Sequence, residues 1–150
     1  MLQNILSFLV VVVLQVYVAF VFMSKVYNAQ LGASAINMFL VYAIYAATCV
    51  ALALAIGSVS KNVKQASALG ILVNTLVAML GGLFWPKEYM PEILHTIGKF
   101  TPAYWLTEAS NKLLTSASIA PAAQDIGILL LFTVVFFMIS SWGKVYVENV

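Results

Sequence analysis

The sequence predicts an all-α membrane protein with four transmembrane helices. Of its 150 residues, 63% are hydrophobic and only 8% are charged, whereas soluble proteins carry about 25% charged residues. The seven lysines and five acidic residues are also confined to short segments, which leaves four long uncharged windows: 1–24, 26–60, 65–86 and 126–143. Each window holds, or nearly holds, the roughly 20 residues that a helix needs to cross the hydrocarbon core of a bilayer.

The composition excludes several other classes of protein. So high an apolar content excludes a disordered chain and an ordinary soluble enzyme. A net charge of +2 from scattered lysines provides no basic surface for nucleic acid. The single cysteine, Cys49, cannot form an internal disulfide. Long uncharged windows are typical of helices rather than of the shorter alternating strands of a membrane barrel.

We place the four spans at about 4–23, 36–57, 66–85 and 123–143. A charged side chain at a helix centre would cost roughly 2.5–3.5 kcal/mol on insertion, so the windows locate the helices better than local propensity does. No span has a charge near its centre, where ion-coupled transporters usually carry one. The sequence also lacks the GxxxxGK[ST] pattern of P-loop nucleotide sites. A transporter of this kind would therefore take its energy from another polypeptide.

The lysines of the connecting segments predict the orientation. The segment 58–65 joins the second and third spans and contains Lys61 and Lys64 but no acidic residue. Short loops rich in lysine stay on the cytoplasmic side, so both chain termini then lie in the cytoplasm. The segments 24–35 and 86–122 lie outside. We therefore expect a multi-pass protein of the cell membrane.

Small and polar residues follow one face of the third span. They recur at helical spacing, and the set is Ser67, Gly70, Asn74, Ala78 and Gly81. Asn74 lies in mid-membrane and must find a hydrogen-bond partner there. The face either lines the path of a transported substrate or serves close packing against another helix, which is the more common role of such residues in lipid.

The segment between the third and fourth spans predicts two short helices, at about 91–98 and 102–115. Pro91 and Pro102 suit the first position of a helix, and an apolar face follows each of them. Helices of about 12 Å and about 20 Å cannot cross the hydrocarbon core. They either enter the membrane from outside and return, or lie flat on the outer leaflet.

Three polar side chains in this segment raise the question of a catalytic or metal site. Glu92 and His95 have the spacing found in carboxylate metal sites, and Glu88 lies one turn earlier. Such a site needs further ligands on other helices, and His95 is the only histidine. A solvated helix face explains the three residues better. We expect no metal, no cofactor and no enzymatic activity in this chain.

Four short motifs between the third and fourth spans occur together in a known family. They are, in chain order, Gly81–Pro86, Met90–Glu92, Ile97–Pro102 and Trp105–Ala109. Together with the flanking spans they resemble ABC type-2 transporter permeases over about residues 66–143. The first two spans are similar to that family in placement and polarity.

The resemblance implies that the four spans correspond to the third to sixth of a six-span permease, and that the two short helices are re-entrant. Residues 1–150 would then form a single transmembrane domain without the first two spans of the family. It also implies pairing with a second copy or a related permease, contact with a P-loop ATPase, and export of a drug, lipid, glycan or peptide. By this resemblance, we expect the chain to be a fragment, a truncated reading frame or a split permease.

The resemblance also assigns roles to particular residues. Those that would line the translocation path are Ser67, Asn74, Ala78 and Gly81. Those that would close an outer gate are Phe84, Trp85, Met90 and Trp105. Those that would contact the ATPase are Ser58, Lys61, Asn62 and Lys64.

Two kinds of function are consistent with these observations. The first is the membrane-spanning permease subunit of an ATP-driven ABC exporter, which forms the translocation path and couples to a separate ATPase. The alternative is a non-transporting four-span membrane protein, such as an immunity or assembly factor, or an inactive truncated permease.

Overall fold

The structure is a computed structural model that describes residues 2–26, 34–84 and 89–147. Within these described ranges, six α-helices follow one another, and a 3₁₀ turn at Ala120–Ala122 precedes the last of them. The helices are α1 (Leu2–Val26), α2 (Ala35–Val59), α3 (Val63–Leu80), α4 (Glu92–Gly98), α5 (Pro102–Thr115) and α6 (Ala123–Val147). We call the end of the bundle that carries α4 and α5 the outer end, following the predicted orientation.

The predicted all-α membrane architecture is confirmed. Among the residues that the structure describes, three helical segments are long and apolar enough to cross a membrane: Ala35–Val59, Val63–Leu80 and Ala120–Trp142, with mean hydropathies of 2.3, 1.5 and 2.2. The first predicted span coincides with α1, a helix of 25 residues. The two short helices between the third and fourth spans lie where the sequence predicts them.

The third span ends earlier than the sequence analysis predicts, at Leu80 rather than near residue 85. A glycine pair stops the helix in a Schellman motif. The N–H of Leu83 donates to the carbonyl oxygen of Ala78 at 3.1 Å, and the N–H of Gly82 to that of Met79 at 3.4 Å. Gly82 has a φ of 79°, a conformation that glycine adopts without steric cost.

Helix α2 lies at the centre of the bundle. It packs against α1, α3, α5 and α6, and its contact with α6 is the most extensive. Where α2, α5 and α6 meet, a core of buried apolar side chains forms, made of Met38, Val41, Leu106, Ala109, Leu113, Ala122 and Leu129. The Phe20 ring of α1 meets Tyr42 of α2 edge-on, with ring centroids 5.4 Å apart, and both rings pack against this core.

Two threonines join α2 and α6 below this core. The hydroxyl oxygens of Thr48 and Thr133 are 2.8 Å apart, and Thr48 is fully buried. Each hydroxyl also reaches a carbonyl oxygen one turn earlier on its own helix, at Ile44 and Leu129 respectively. This contact adds a directional interaction to a helix pair that otherwise packs through apolar and small residues.

Thr48→Val is expected to lower the free energy of unfolding by about 0.6–1.7 kcal/mol, the range measured for hydrogen bonds between membrane helices. The substitution keeps the shape of the side chain and removes the hydroxyl that contacts Thr133 and the Leu129 carbonyl on α6, together with its bond to the Ile44 carbonyl of its own helix. Urea titration in detergent micelles, followed by circular dichroism, measures the change. Thr75→Val is the matched control, because the Thr75 hydroxyl donates only to the Ile71 carbonyl of its own helix. An equal effect of both substitutions would contradict the prediction.

The two short helices differ in how they contact the spans. Helix α5 packs against α2, α3 and α6. Its buried side chains are Pro102, Ala103, Tyr104, Leu106, Ala109 and Leu113. Val41 of α2 packs in the same core as Leu106 of α5, and it lies six residues into α2, about 9 Å along the helix axis. Helix α5 therefore lies between the outer ends of three spans. Beyond α5, the Asn37 side chain donates to the Ala117 carbonyl at 2.8 Å.

Candidate functional site

A groove runs between α2 and α3 and contains part of the predicted translocation path. Its volume is about 510 Å³, and its lining residues are Cys49, Leu52, Ala53, Ile56, Ser67, Gly70, Ile71 and Asn74. Ser67 and Asn74 are two of the four residues predicted to line the path. The α2 side of the groove is apolar except for the Cys49 thiol, so its polar groups come mainly from α3.

Asn74 is the most distinctive residue of the groove. Its side chain is exposed, and no hydrogen bond joins it to another of the described residues. All of α3 is described, and no side chain of this helix is buried. An unpaired amide in hydrocarbon costs several kcal/mol, so the α3 face at Asn74 is unsuited to lipid. It requires water, another helix or a polar ligand.

The other two predicted path residues lie outside the groove lining. Gly81 faces α5, because a Cβ built on it would overlap the Cβ of Ala103 and lie 2.8 Å from the Ala103 carbonyl carbon. The Thr107 hydroxyl also donates to the Gly81 carbonyl oxygen at 3.0 Å. Ala78 is half-buried in the turn before. At this depth the α3 stripe packs against α5, so the structure brings only its inner part to the groove.

The residues predicted to close an outer gate lie around α4 and α5. Phe84 is exposed after the glycine turn, and Met90 is half-buried just before α4. Trp105 donates its indole N–H to the Lys99 carbonyl at 2.8 Å and packs against the α2–α5–α6 core. Trp85 lies outside the described residues, so its place in a gate stays a prediction.

The residues predicted to contact an ATPase form a tight turn between α2 and α3. Asn62 caps α3 by accepting a hydrogen bond from the Gln65 N–H at 2.8 Å. The Gln65 side chain in return accepts one from the Lys61 N–H at 2.9 Å. The Ser58 hydroxyl donates to the Ala55 carbonyl. These bonds fix a short link from which Lys61 and Lys64 project into solvent.

An ion pair between a half-buried lysine and a buried aspartate joins α5 to α6, and the sequence analysis missed it. The Lys112 ammonium lies 2.7 Å from the Asp125 carboxylate, whose side chain is 2% exposed. Asp125 belongs to the first turn of α6, where a helix favours a negative charge. The position of Asp125 could have indicated a stabilising charge at the start of α6, but it could not have indicated that Lys112 on another helix is its partner. Burial raises the pKa of the nearby Tyr104 phenol, and the charges of Glu108 and Asp125 raise it further.

The polar residues at α4 form no metal-binding cluster in the part of the chain that the structure describes. No three histidine, cysteine or acidic side chains come together there. Glu92 is exposed, whereas His95 packs edge-on against Tyr104 with ring centroids 5.3 Å apart. Glu88 lies outside the described residues. In the structure His95 thus contacts α5 through Tyr104.

Comparison with known proteins places this architecture in a family. The sequence model of the ABC-2 family transporter proteins matches residues 1–142. The chain belongs to this family. The resemblance inferred from the motifs around α4 and α5 is therefore confirmed, and the match extends over all six helices up to Trp142.

Two curated proteins of Bacillus subtilis (strain 168) are similar in sequence to this ABC-2 chain. The putative transport permease YvfS is 27% identical over 82 residues, which cover 55% of this chain and 33% of YvfS. The linearmycin resistance permease protein LnrN is 26% identical over 91 residues, which cover 60% of this chain and 24% of LnrN. The match thus spans a third or less of the length of these relatives. No solved structure matches the chain.

Proposed function

We propose that this ABC-2 chain is the membrane-spanning permease subunit of an ATP-driven exporter. In this proposal the protein lies in the cell membrane with both termini in the cytoplasm. It pairs with a second copy or a related permease, and a separate P-loop ATPase hydrolyses the ATP. Support comes from the family match and from relatives named as permeases. The name of the second relative, a resistance permease, favours export over import.

The observation that carries the proposal is the groove between α2 and α3 with the unpaired Asn74 at its wall. A polar, uncharged wall suits a cargo that is itself amphipathic, because the apolar α2 side and the amide of α3 would each find a complementary surface. An unpaired amide that faces lipid would be unfavourable, whereas one that faces a water-filled path would be solvated.

The turn between α2 and α3 is suited to receive motion from an ATPase. It joins the two helices that form the groove. Hydrogen bonds at Asn62 and Gln65 hold the turn in one conformation, so the ends of α2 and α3 are closely linked. A force applied at Lys61 and Lys64 would be transmitted directly to the inner ends of both helices. The two ammonium groups would meet acidic or polar groups on the ATPase surface. This coupling requires no nucleotide site in the permease itself.

The test is the capture of a partner. When the affinity-tagged protein is purified from its native membranes in mild detergent, a P-loop ATPase is expected to co-purify. The double substitution Lys61→Glu and Lys64→Glu reverses both charges of the turn and is expected to release that ATPase. Lys99→Glu is the matched control, since Lys99 is exposed at the opposite end of the bundle. The proposal fails if no ATPase is captured, or if the control releases it equally.

A further inference from the structure

The groove between α2 and α3 has a positive charge at its inner mouth, the end next to the turn between the two helices. Lys64 lies in the first turn of α3, one turn before Ser67 and two turns before Ile71, and both of these residues line the groove. Since successive residues of a helix are rotated by about 100°, Lys64 and Ile71 lie on the same side of α3. Lys64 is exposed, and neither α2 nor α3 contains an acidic residue. The helices that form the groove therefore supply no counter-ion for this lysine.

Beyond the mouth, the groove combines a free hydroxyl with apolar walls. The wall on α2 is formed mainly by Leu52, Ala53 and Ile56. On the α3 side, Ile71 is 72% exposed, so the groove is open to its surroundings along this edge. The Ser67 hydroxyl, one turn beyond Lys64, forms no hydrogen bond with another of the described residues. It is therefore available to a ligand that lies in the groove.

The length of the groove matches one leaflet of a bilayer. From Lys64 to Asn74, α3 rises by about 15 Å, which is half of the roughly 30 Å of the hydrocarbon core. Lys64 lies next to the inner turn, so its ammonium is at the level of the inner head groups, and Asn74 is near the middle of the membrane. Asn74 is rotated by about 60° from Ile71. An acyl chain that follows the Ile71 side therefore leaves the Asn74 amide beside it rather than beneath it.

We infer that the groove between α2 and α3 binds one anionic phospholipid of the inner leaflet. The Lys64 ammonium holds the phosphate, and the Ser67 hydroxyl donates to an ester carbonyl one turn deeper. One acyl chain lies between the apolar α2 wall and Ile71. Basic pockets between membrane helices on the cytoplasmic side bind anionic head groups in this way. The inference rests on the cytoplasmic placement of the turn in the proposed function. A lysine ammonium has three N–H donors, so the lipid contact leaves donors for the proposed ATPase contact.

Native mass spectrometry of the purified protein in detergent micelles tests the head-group contact, with phosphatidylglycerol or phosphatidylcholine added. One phosphatidylglycerol is expected to bind more tightly than phosphatidylcholine, which has no net charge. Lys64→Gln is expected to weaken phosphatidylglycerol binding about fivefold, the effect expected of one lysine near an anionic lipid. Lys61→Gln is the matched control and is expected to leave the affinity unchanged, because Lys61 is also exposed but precedes α3 in the turn.

A second pair of variants tests whether the acyl chain lies in the groove. Ala53 is an exposed residue of the α2 wall, so the indole of Ala53→Trp would fill the space for the chain without removing a packed side chain. This change is expected to weaken phosphatidylglycerol binding severalfold. Ala68→Trp is its control, because Ala68 is exposed on α3 outside the groove lining.

Three results would overturn the inference. Equal affinities for the two lipids would show that the protein does not recognise an anionic head group. Equal effects of Lys61→Gln and Lys64→Gln would show a general attraction to the charge of the turn. Unchanged binding in Ala53→Trp would place the lipid outside the groove. The measurements need neither an ATPase nor a transported substrate, so their outcome is separate from that of the partner-capture experiment.

Discussion

Gly81→Ala is expected to lower the free energy of unfolding by about 3 kcal/mol, because the new methyl group has no room between α3 and α5. Its position overlaps the Ala103 Cβ and lies 2.9 Å from the Tyr104 backbone nitrogen, and backbone atoms of a helix cannot move aside cheaply. The conformation of residue 81 itself suits alanine, with φ −77° and ψ −5°. The loss would therefore come from the contact with α5 alone. Chemical unfolding in detergent micelles measures it.

Gly127→Ala is the matched control for this substitution. Gly127 lies within the long apolar helix α6, and nothing among the described residues comes within 4 Å of a Cβ built there. The change is expected to be neutral or to stabilise the protein by up to about 1 kcal/mol through helix propensity. If Gly81→Ala proves as well tolerated as Gly127→Ala, then α5 does not pack against the outer end of α3.

Lys112→Met is expected to lower the free energy of unfolding by about 2–3 kcal/mol. Removing the ammonium leaves the Asp125 carboxylate buried without its counter-ion, which is among the more costly single changes in a protein interior. The expected loss is at the lower end of the usual range because the Lys112 side chain is 37% exposed, so water already screens part of the attraction. The same unfolding titration in micelles measures it.

The double substitution Lys112→Met and Asp125→Asn separates the pair from the packing around it. Since the double variant leaves no buried charge, it is expected to recover most of the stability that Lys112→Met loses. Lys99→Met removes an exposed lysine and is expected to change the stability by less than about 0.5 kcal/mol. Equal losses in the single and double variants would mean that the aliphatic stem of Lys112, rather than its charge, stabilises the contact between α5 and α6.

The sequence predicted the helices of this protein well because lipid imposes a simple rule. A charged side chain is excluded from a spanning helix, so the uncharged windows located α2, α3 and α6 to within a few residues at most ends. Prolines likewise marked the starts of α4 and α5. The exception is the end of α3, where the glycine pair was counted as part of the span although it forms the turn that ends the helix.

The candidate site was less predictable, because the neighbour of a residue depends on its position along the helix as well as on the helix face it occupies. Ser67, Asn74 and Gly81 follow one stripe of α3, and helical periodicity gives them one role. In the structure Ser67 and Asn74 line the groove beside α2, whereas Gly81 packs against α5. The contact of Lys112 with Asp125 likewise depends on how two helices are placed. Periodicity gives the direction of a side chain but not which neighbour occupies that direction.

The bundle is packed unevenly, because α2 is buried much more than α3. Helix α2 contributes six buried side chains and is held to α6 along much of its length, whereas α3 contributes none. Contacts with α4 and α5 hold α3 at its outer end, and the capped turn at residues 60–62 holds its inner end. Within this chain, a displacement of the middle of α3 would therefore disturb fewer buried contacts than any displacement of α2. Such a displacement would change the width of the groove and leave the α2–α5–α6 core intact.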